Sequence, residues 1–161
     1  MLTAPDEHQL AELLPGRWKV VASNFPMWLR GERTDPTFTY EVLGTGPLVL
    51  RDDVSYVDAE GQTKHVLGVD RWTGNGFRWR GKGLLRLAKS DWTVPGVSKA
   101  GTIAAVRFAK SLVSPAGIDI IVREGVDLPE PRAIVATEST RFGLTAEDFA
   151  SLTWLGQPAA D

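Results

Sequence analysis

Two ionisable residues fall where the strand pattern of this sequence asks for apolar ones. Along residues 48–57, Asp52 shares a face with Leu48, Leu50, Val54 and Tyr56, and along 63–72, His65 shares a face with Leu67 and Val69. If both faces turn inward, a carboxylate and an imidazole meet in a low-dielectric interior. That pairing suits general acid–base catalysis or the anchoring of a ligand head group. The alternative is that Asp52-Asp53 marks a bulge that flips the register and leaves both aspartates wet, with His65 exposed beside a hairpin turn.

Other chemistries find fewer residues. The chain has no cysteine, which excludes disulfides, thiolate catalysis and cysteine-based metal sites. No His/Asp/Glu cluster shows metal-ligand spacing, so no metal is expected, and haem ligation by His65 or His8 would rest on a lone histidine. There is no nucleophile elbow, and Gly81-Lys82-Gly83 lies within a strand and lacks the helix that a phosphate site needs. No cofactor is expected. The basic row Arg78, Arg80, Lys82 and Arg86 is either the solvated face of a strand or a means of steering an anionic ligand.

The larger signal is apolar. Phe25-Pro26-Met27-Trp28-Leu29 carries too many large apolar side chains for a solvated loop, so it either caps the interior or binds something. On the strands, Phe38, Tyr40, Tyr56, Phe77, Trp79 and Phe108 take the inward parity, where they either fill the interior or line a ligand cavity. The candidate ligand-binding set is therefore Phe25, Met27, Trp28, Phe38, Tyr40, Tyr56, His65, Phe77, Trp79 and Phe108.

A chain of 161 residues is long enough for one domain with a real core, and a single domain over 1–161 is the expectation. A net charge of -2 and a pI near 5.7 give no broad positive field, which argues against nucleic acid or an anionic membrane as the principal partner. No apolar run approaches the ~18 residues needed to span a bilayer. The acidic, proline-broken start, Met1-Leu2-Thr3-Ala4-Pro5-Asp6-Glu7-His8, lacks the charged and apolar regions of a secretory signal. A cytoplasmic protein is the expectation, unless a signal was removed.

The elements that would position these residues follow from periodicity and turn chemistry. Thr3, Pro5, Asp6 and Glu7 read as a helix start, with Leu10, Leu13 and Leu14 at helical spacing before Pro15. Strands are expected over 17–23, 37–42, 48–57, 63–72, 77–87, 102–108, 118–122 and 132–137, with 24–31 and 90–96 as loops. Gly143-Leu144-Thr145-Ala146-Glu147-Asp148-Phe149 reads as a capped helix start, and Phe149, Leu152 and Leu155 follow at helical spacing. About eight strands joined mostly by tight turns argue for an all-β, antiparallel up-and-down sheet with short N- and C-terminal helices, closed into a barrel or split into a sandwich. Closure removes the sheet edges more simply, and an eight-stranded barrel is near the size that holds one small ligand.

In order and motif the chain resembles the lipocalins, within the calycin group, over roughly residues 7–156. A short helix leads into Gly16-x-Trp18, the first strand ends in Ala22-Ser23, and a long apolar loop follows. Hairpin-linked strands then give way to a late segment, Phe149-Ala150-Ser151-Leu152-Thr153-Trp154-Leu155, similar to the tail of small bacterial lipocalins. The resemblance implies an eight-stranded barrel whose Gly-x-Trp tryptophan closes the floor and stacks on an arginine at the end of the last strand. By position Arg141 is that arginine, so Gly16, Trp18 and Arg141 form the expected structural motif. It also implies a binding or transport protein for a small hydrophobic molecule, with 24–31 as a lid and no oligomeric state implied. An isomerase or cyclase of a hydrophobic metabolite using Asp52 and His65, or an interaction protein docking through its aromatic loop, are the other readings.

Overall fold

A computed structural model describes residues 3–112 and 114–156. Asp6 caps the first helix, α1 (Glu7–Leu13): its carboxylate accepts from Gln9 N while the Gln9 side chain accepts from Asp6 N. Two amide donors that the first turn leaves unpaired are thereby satisfied. Leu10 and Leu14 are fully buried and join the same core as Trp18, so the helix docks by one apolar stripe.

The chain then runs through β1 (Gly16–Ser23), a short helix α2 (Pro26–Leu29), β2 (Thr34–Gly44), β3 (Val49–Val57), β4 (Thr63–Trp72) and β5 (Phe77–Gly81). A 3-10 turn at Gly83–Leu85 precedes β6 (Lys89–Val97), β7 (Ile103–Phe108), β8 (Gly117–Arg123), α3 (Pro131–Thr137), α4 (Ala146–Ser151) and the two-residue β9 (Thr153–Trp154). From β2 to β8 each strand pairs antiparallel with the next, and β1 pairs with both β8 and β2. This closes an eight-stranded up-and-down barrel. The strand β9 pairs with β1 at Ala22 and Ser23.

Two apolar cores follow from the two faces of the wall. Inside lie Trp18, Val20, Phe38, Tyr40, Leu50, Phe77, Trp92, Val106 and Ile121. Outside, Ile103, Ala105, Ile118, Ile120 and Val122 are covered by Val135, Phe142, Leu144 and Leu152. The strands β7 and β8 are thus buried on both sides, which is why they read as continuous apolar runs rather than alternating ones. In β1 the register against β8 shifts between Val20 and Ala22, so that Ala22 joins the outer core while Trp18 and Val20 belong to the inner one.

The structure corrects three sequence expectations. Residues 90–96, read as a loop, lie in β6, where Pro95 falls at a register shift between Thr93 and Gly96, a place where a strand tolerates a missing N–H. Residues 132–137, read as a strand, are helix α3: Pro131 sits in the first turn and Val135 is buried against the outer core. Residues 84–87 do not extend β5, since Gly83 at φ +62 starts the 3-10 turn. One strand missed and one added leave the number of barrel strands at eight.

The last barrel strand therefore ends at Arg123, and Arg141 is not the partner of Trp18. The Arg123 guanidinium lies 4.3 Å from the Trp18 ring centroid and donates to the carbonyls of Leu13 and Pro15. Trp18 Nε1 donates to Leu14 O at 2.9 Å. Gly16 has φ +118, and a Cβ there would lie 2.8 Å from Arg123 Nη1, so the glycine of Gly16-x-Trp18 makes room for the arginine. Arg141 instead sits 3.7 Å from Glu138. Among the described residues no helix is long and apolar enough to cross a membrane.

Candidate ligand cavity

Inside the barrel is a cavity of about 180 Å³ roofed by the segment after β1. The root of that roof is pinned by polar contacts: Phe25 N donates to Ser23 Oγ at 3.0 Å, and Asn24 Oδ1 accepts from Ile118 N at 2.7 Å. Phe25 packs edge-on against Phe108, 5.4 Å between centroids. It fits because residue 117 is glycine, where a Cβ would come within 2.4 Å of the Phe25 ring. In α2, Trp28 meets Tyr56 edge-on at 5.8 Å, and Arg33 sets its guanidinium over the same Tyr56 ring, 4.8 Å from its centroid.

Stacked rings form the deeper wall. Tyr40 lies parallel to Trp92 at 5.7 Å, and Trp92 lies on Phe77 at 4.5 Å. Phe38 and Phe108 contact each other at 6.4 Å. Trp79 crosses Gly68, where a Cβ would fall 2.1 Å from its Nε1.

Two buried aspartates interrupt this apolar lining, Asp52 from β3 and Asp119 from β8, and a third, Asp70 from β4, is buried behind it. Trp92 Nε1 donates to Asp70 Oδ1 at 2.8 Å. Burial pushes the Asp52 carboxyl up to about 6, against the lowering effect of its hydrogen bond with Asp70. Burial and then the charge of Asp52 raise Asp70 well above the usual carboxylate range, so of the two neighbouring carboxyls Asp70 is the harder to ionise. Burial pushes Asp119 up to about 7, opposed by Ser23 and Trp28. Tyr40 is also raised, by burial and then by the charges of Asp52, Asp70 and Asp119. Asp52 Oδ1, Asp70 Oδ2, Asp119 Oδ1 and the Trp28 indole N–H are buried without a hydrogen-bond partner in the protein.

The chain is similar in structure to lobster apocrustacyanin A1, at 10% identity over 99% of this chain and 89% of that one, with a TM-score of 0.63. It is similar to the siderocalin Ex-FABP at 16% identity over 91% and 96%, TM-score 0.61. The bovine lipocalin allergen Bos d 2 aligns at 12% identity over 92% and 99%, TM-score 0.57. The chain has the lipocalin fold. No protein-family model matches the sequence, and no curated protein sequence does.

Around this lipocalin cavity the structure places Phe25, Met27, Trp28, Phe38, Tyr40, Tyr56, Trp79 and Phe108 of the sequence-predicted set, together with Asp52. Phe77 is not among the lining residues; it is buried behind Trp92. His65 is a correction: it lies on the outer, exposed face of β4, with Nδ1 2.9 Å from Asp53 Oδ1. Asp52 and His65 therefore do not meet, and the acid–base pair is absent. The inward residues of β4 are Val66, Gly68 and Asp70.

Sequence reasoning missed Trp92, Asp119, Arg33 and Ser90, all of which line the cavity. The alternation of Ser90, Trp92 and Val94 was available as a signal for the first and last of these. A wider surface groove of about 630 Å³ includes Arg78, Asp91, Arg107 and Asp148. These pair at 2.8 Å as Arg78–Asp91 and Arg107–Asp148, so its charges satisfy one another, whereas the interior cavity holds buried carboxylates without partners.

Proposed function

We propose that the protein binds a small, mostly apolar organic molecule inside its barrel and so sequesters or carries it. The observation that supports this reading is the cavity wall: Tyr40, Tyr56, Trp79, Trp92 and Phe108 border space that no side chain fills. A cavity of ~150 Å³ in another protein takes up benzene, so about 180 Å³ suits one ring with a short substituent. Binding would be driven by apolar burial at about 25 cal/mol per Å², less the cost of ordering ligand and lid. The siderocalin Ex-FABP is described as functioning through dual ligand specificities, which agrees with a barrel of this shape serving as a ligand site.

The test is native mass spectrometry of the purified protein, joined to titration with a hydrophobic fluorescent probe. Trp28, Trp79 and Trp92 line the cavity, so saturable quenching of tryptophan emission, competed by small aromatic molecules, is expected. The absence of both retained ligand and saturable quenching would sink the reading.

A further inference from the structure

The cavity is apolar in its walls and acidic in its polar groups. Asp52 and Asp119 both line it, both are buried, and each has a carboxylate oxygen with no partner in the protein. A buried, unpaired acceptor of this kind is expensive unless something donates to it. The one cationic side chain on the lining, Arg33, is exposed at the rim over Tyr56, so no cation of the protein stands beside the interior aspartates. Among the described residues no group of three or more acidic or histidine side chains is arranged to hold a metal ion. The complement of this site is thus an organic cation with N–H donors.

Resting on the reading of the cavity as a ligand site, we propose that its ligand is a small aromatic amine in protonated form, whose ammonium donates to Asp119 and Asp52 while its ring lies among Tyr40, Trp79 and Trp92. An ammonium offers three donors, enough to reach both free carboxylate oxygens. The surrounding aromatic faces attract a cation in their own right. The aspartates are poised for this: Asp52 faces Asp70 with Asp53 beside it on the same strand, Asp119 faces Ser23 and Trp28, and Tyr40 faces all three acidic groups. A cation entering favours the ionised carboxylates, so affinity rises as pH rises from 6 to 8.

Three isosteric probes decide it, measured by isothermal calorimetry at pH 7.5: 2-phenylethylammonium, 2-phenylethanol and phenylacetate. The ammonium is expected to bind at least about tenfold tighter than the alcohol, with phenylacetate weakest. Asp119→Asn and Asp52→Asn should each reduce that preference while sparing the alcohol. If either variant fails to fold, the wild-type pH series carries the same information, with ammonium affinity climbing between pH 6 and 8 and alcohol affinity flat. An alcohol that binds as tightly as the ammonium overturns the inference and leaves the ligand-binding reading standing. Binding of no probe also overturns it, and the cavity is then judged on retained ligand and probe quenching alone.

Discussion

The Arg123 guanidinium lies over the Trp18 ring at 4.3 Å from its centroid, and this contact ties the end of the last barrel strand to the start of the first. Arg123 also donates to the carbonyls of Leu13 and Pro15 at the end of α1. One side chain thus joins helix, first strand and last strand. Removing it forfeits a cation–π contact and leaves two carbonyls short of a charged donor. Arg123→Ala is expected to cost about 2–4 kcal/mol in urea unfolding. Arg141→Ala, which loses only a surface contact to Glu138 at 3.7 Å, should stay within about 0.5 kcal/mol of wild type. Equal losses at the two positions would refute the assignment.

The roof of the cavity depends on a missing side chain. A Cβ at Gly117 would come 2.4–2.7 Å from three atoms of the Phe25 ring, with no other atom so close. Gly117→Ala is therefore expected to push Phe25 off Phe108, at about 1–3 kcal/mol in stability. Probe release, followed by stopped-flow fluorescence, should quicken. Unchanged release together with a normal unfolding midpoint would show that Phe25 does not hold the roof.

Most of the barrel was legible where one strand face is wet. Along β2 and β3, alternation placed Phe38, Tyr40, Asp52 and Tyr56 inward, as the structure has them. It failed where both faces are buried: Asp119 lies between Ile118 and Ile120, which pack on the outer core, so no alternation marks it. In β4 the inward positions carry Gly68 and Asp70, one too small and one too polar to be read as core, and the outward Leu67 drew His65 to the wrong face. Pro95-Gly96 read as a loop because a register shift that admits proline cannot be seen locally. The apolar Ala-Ile-Val-Ala run at 133–136 read as a strand, although Pro131 marked a helix start. Placing Arg141 against Trp18 followed from that misread strand.

Asp70 Oδ1 accepts from Trp92 Nε1 at 2.8 Å, while its Oδ2 is buried without a partner close to Asp52. Trp92→Phe removes the indole donor and part of the stack between Tyr40 and Phe77, at an expected cost of about 2–4 kcal/mol. Asp70→Asn keeps the bond from Trp92 at its carbonyl and turns an amide donor toward Asp52. Its stability should lie within about 1 kcal/mol of wild type near pH 4 and exceed wild type increasingly as pH rises, because the asparagine has no proton to lose. Denaturant midpoints of the two variants check this, and a larger loss for Asp70→Asn than for Trp92→Phe would show that Asp70 is needed as an ionised group.

Burial of the acidic groups gives the stability a definite pH slope. Asp119 ionises near 3.8 in the unfolded chain and at about 7 in the folded one, so between those values the folded state holds a proton that the unfolded state has lost. Stability must then fall as pH rises through this window and level off above it. Asp52, raised to about 6, and Asp70 act with the same sign. Asp91 and Asp148, lowered chiefly by Arg78 and Arg107, lose their contribution only at acid pH, as it falls through their depressed values. At about 1.4 kcal/mol per pKa unit, Asp119 alone would account for roughly 4 kcal/mol at most. Urea unfolding of the wild type should show a midpoint that drops from pH 5 to pH 8, and Asp119→Asn should flatten part of that drop and exceed wild type at pH 8. Saturating 2-phenylethylammonium should flatten it as well, because a bound cation replaces the proton. A wild-type midpoint that is level or rising across this range would mean that Asp119 is solvated in the folded protein.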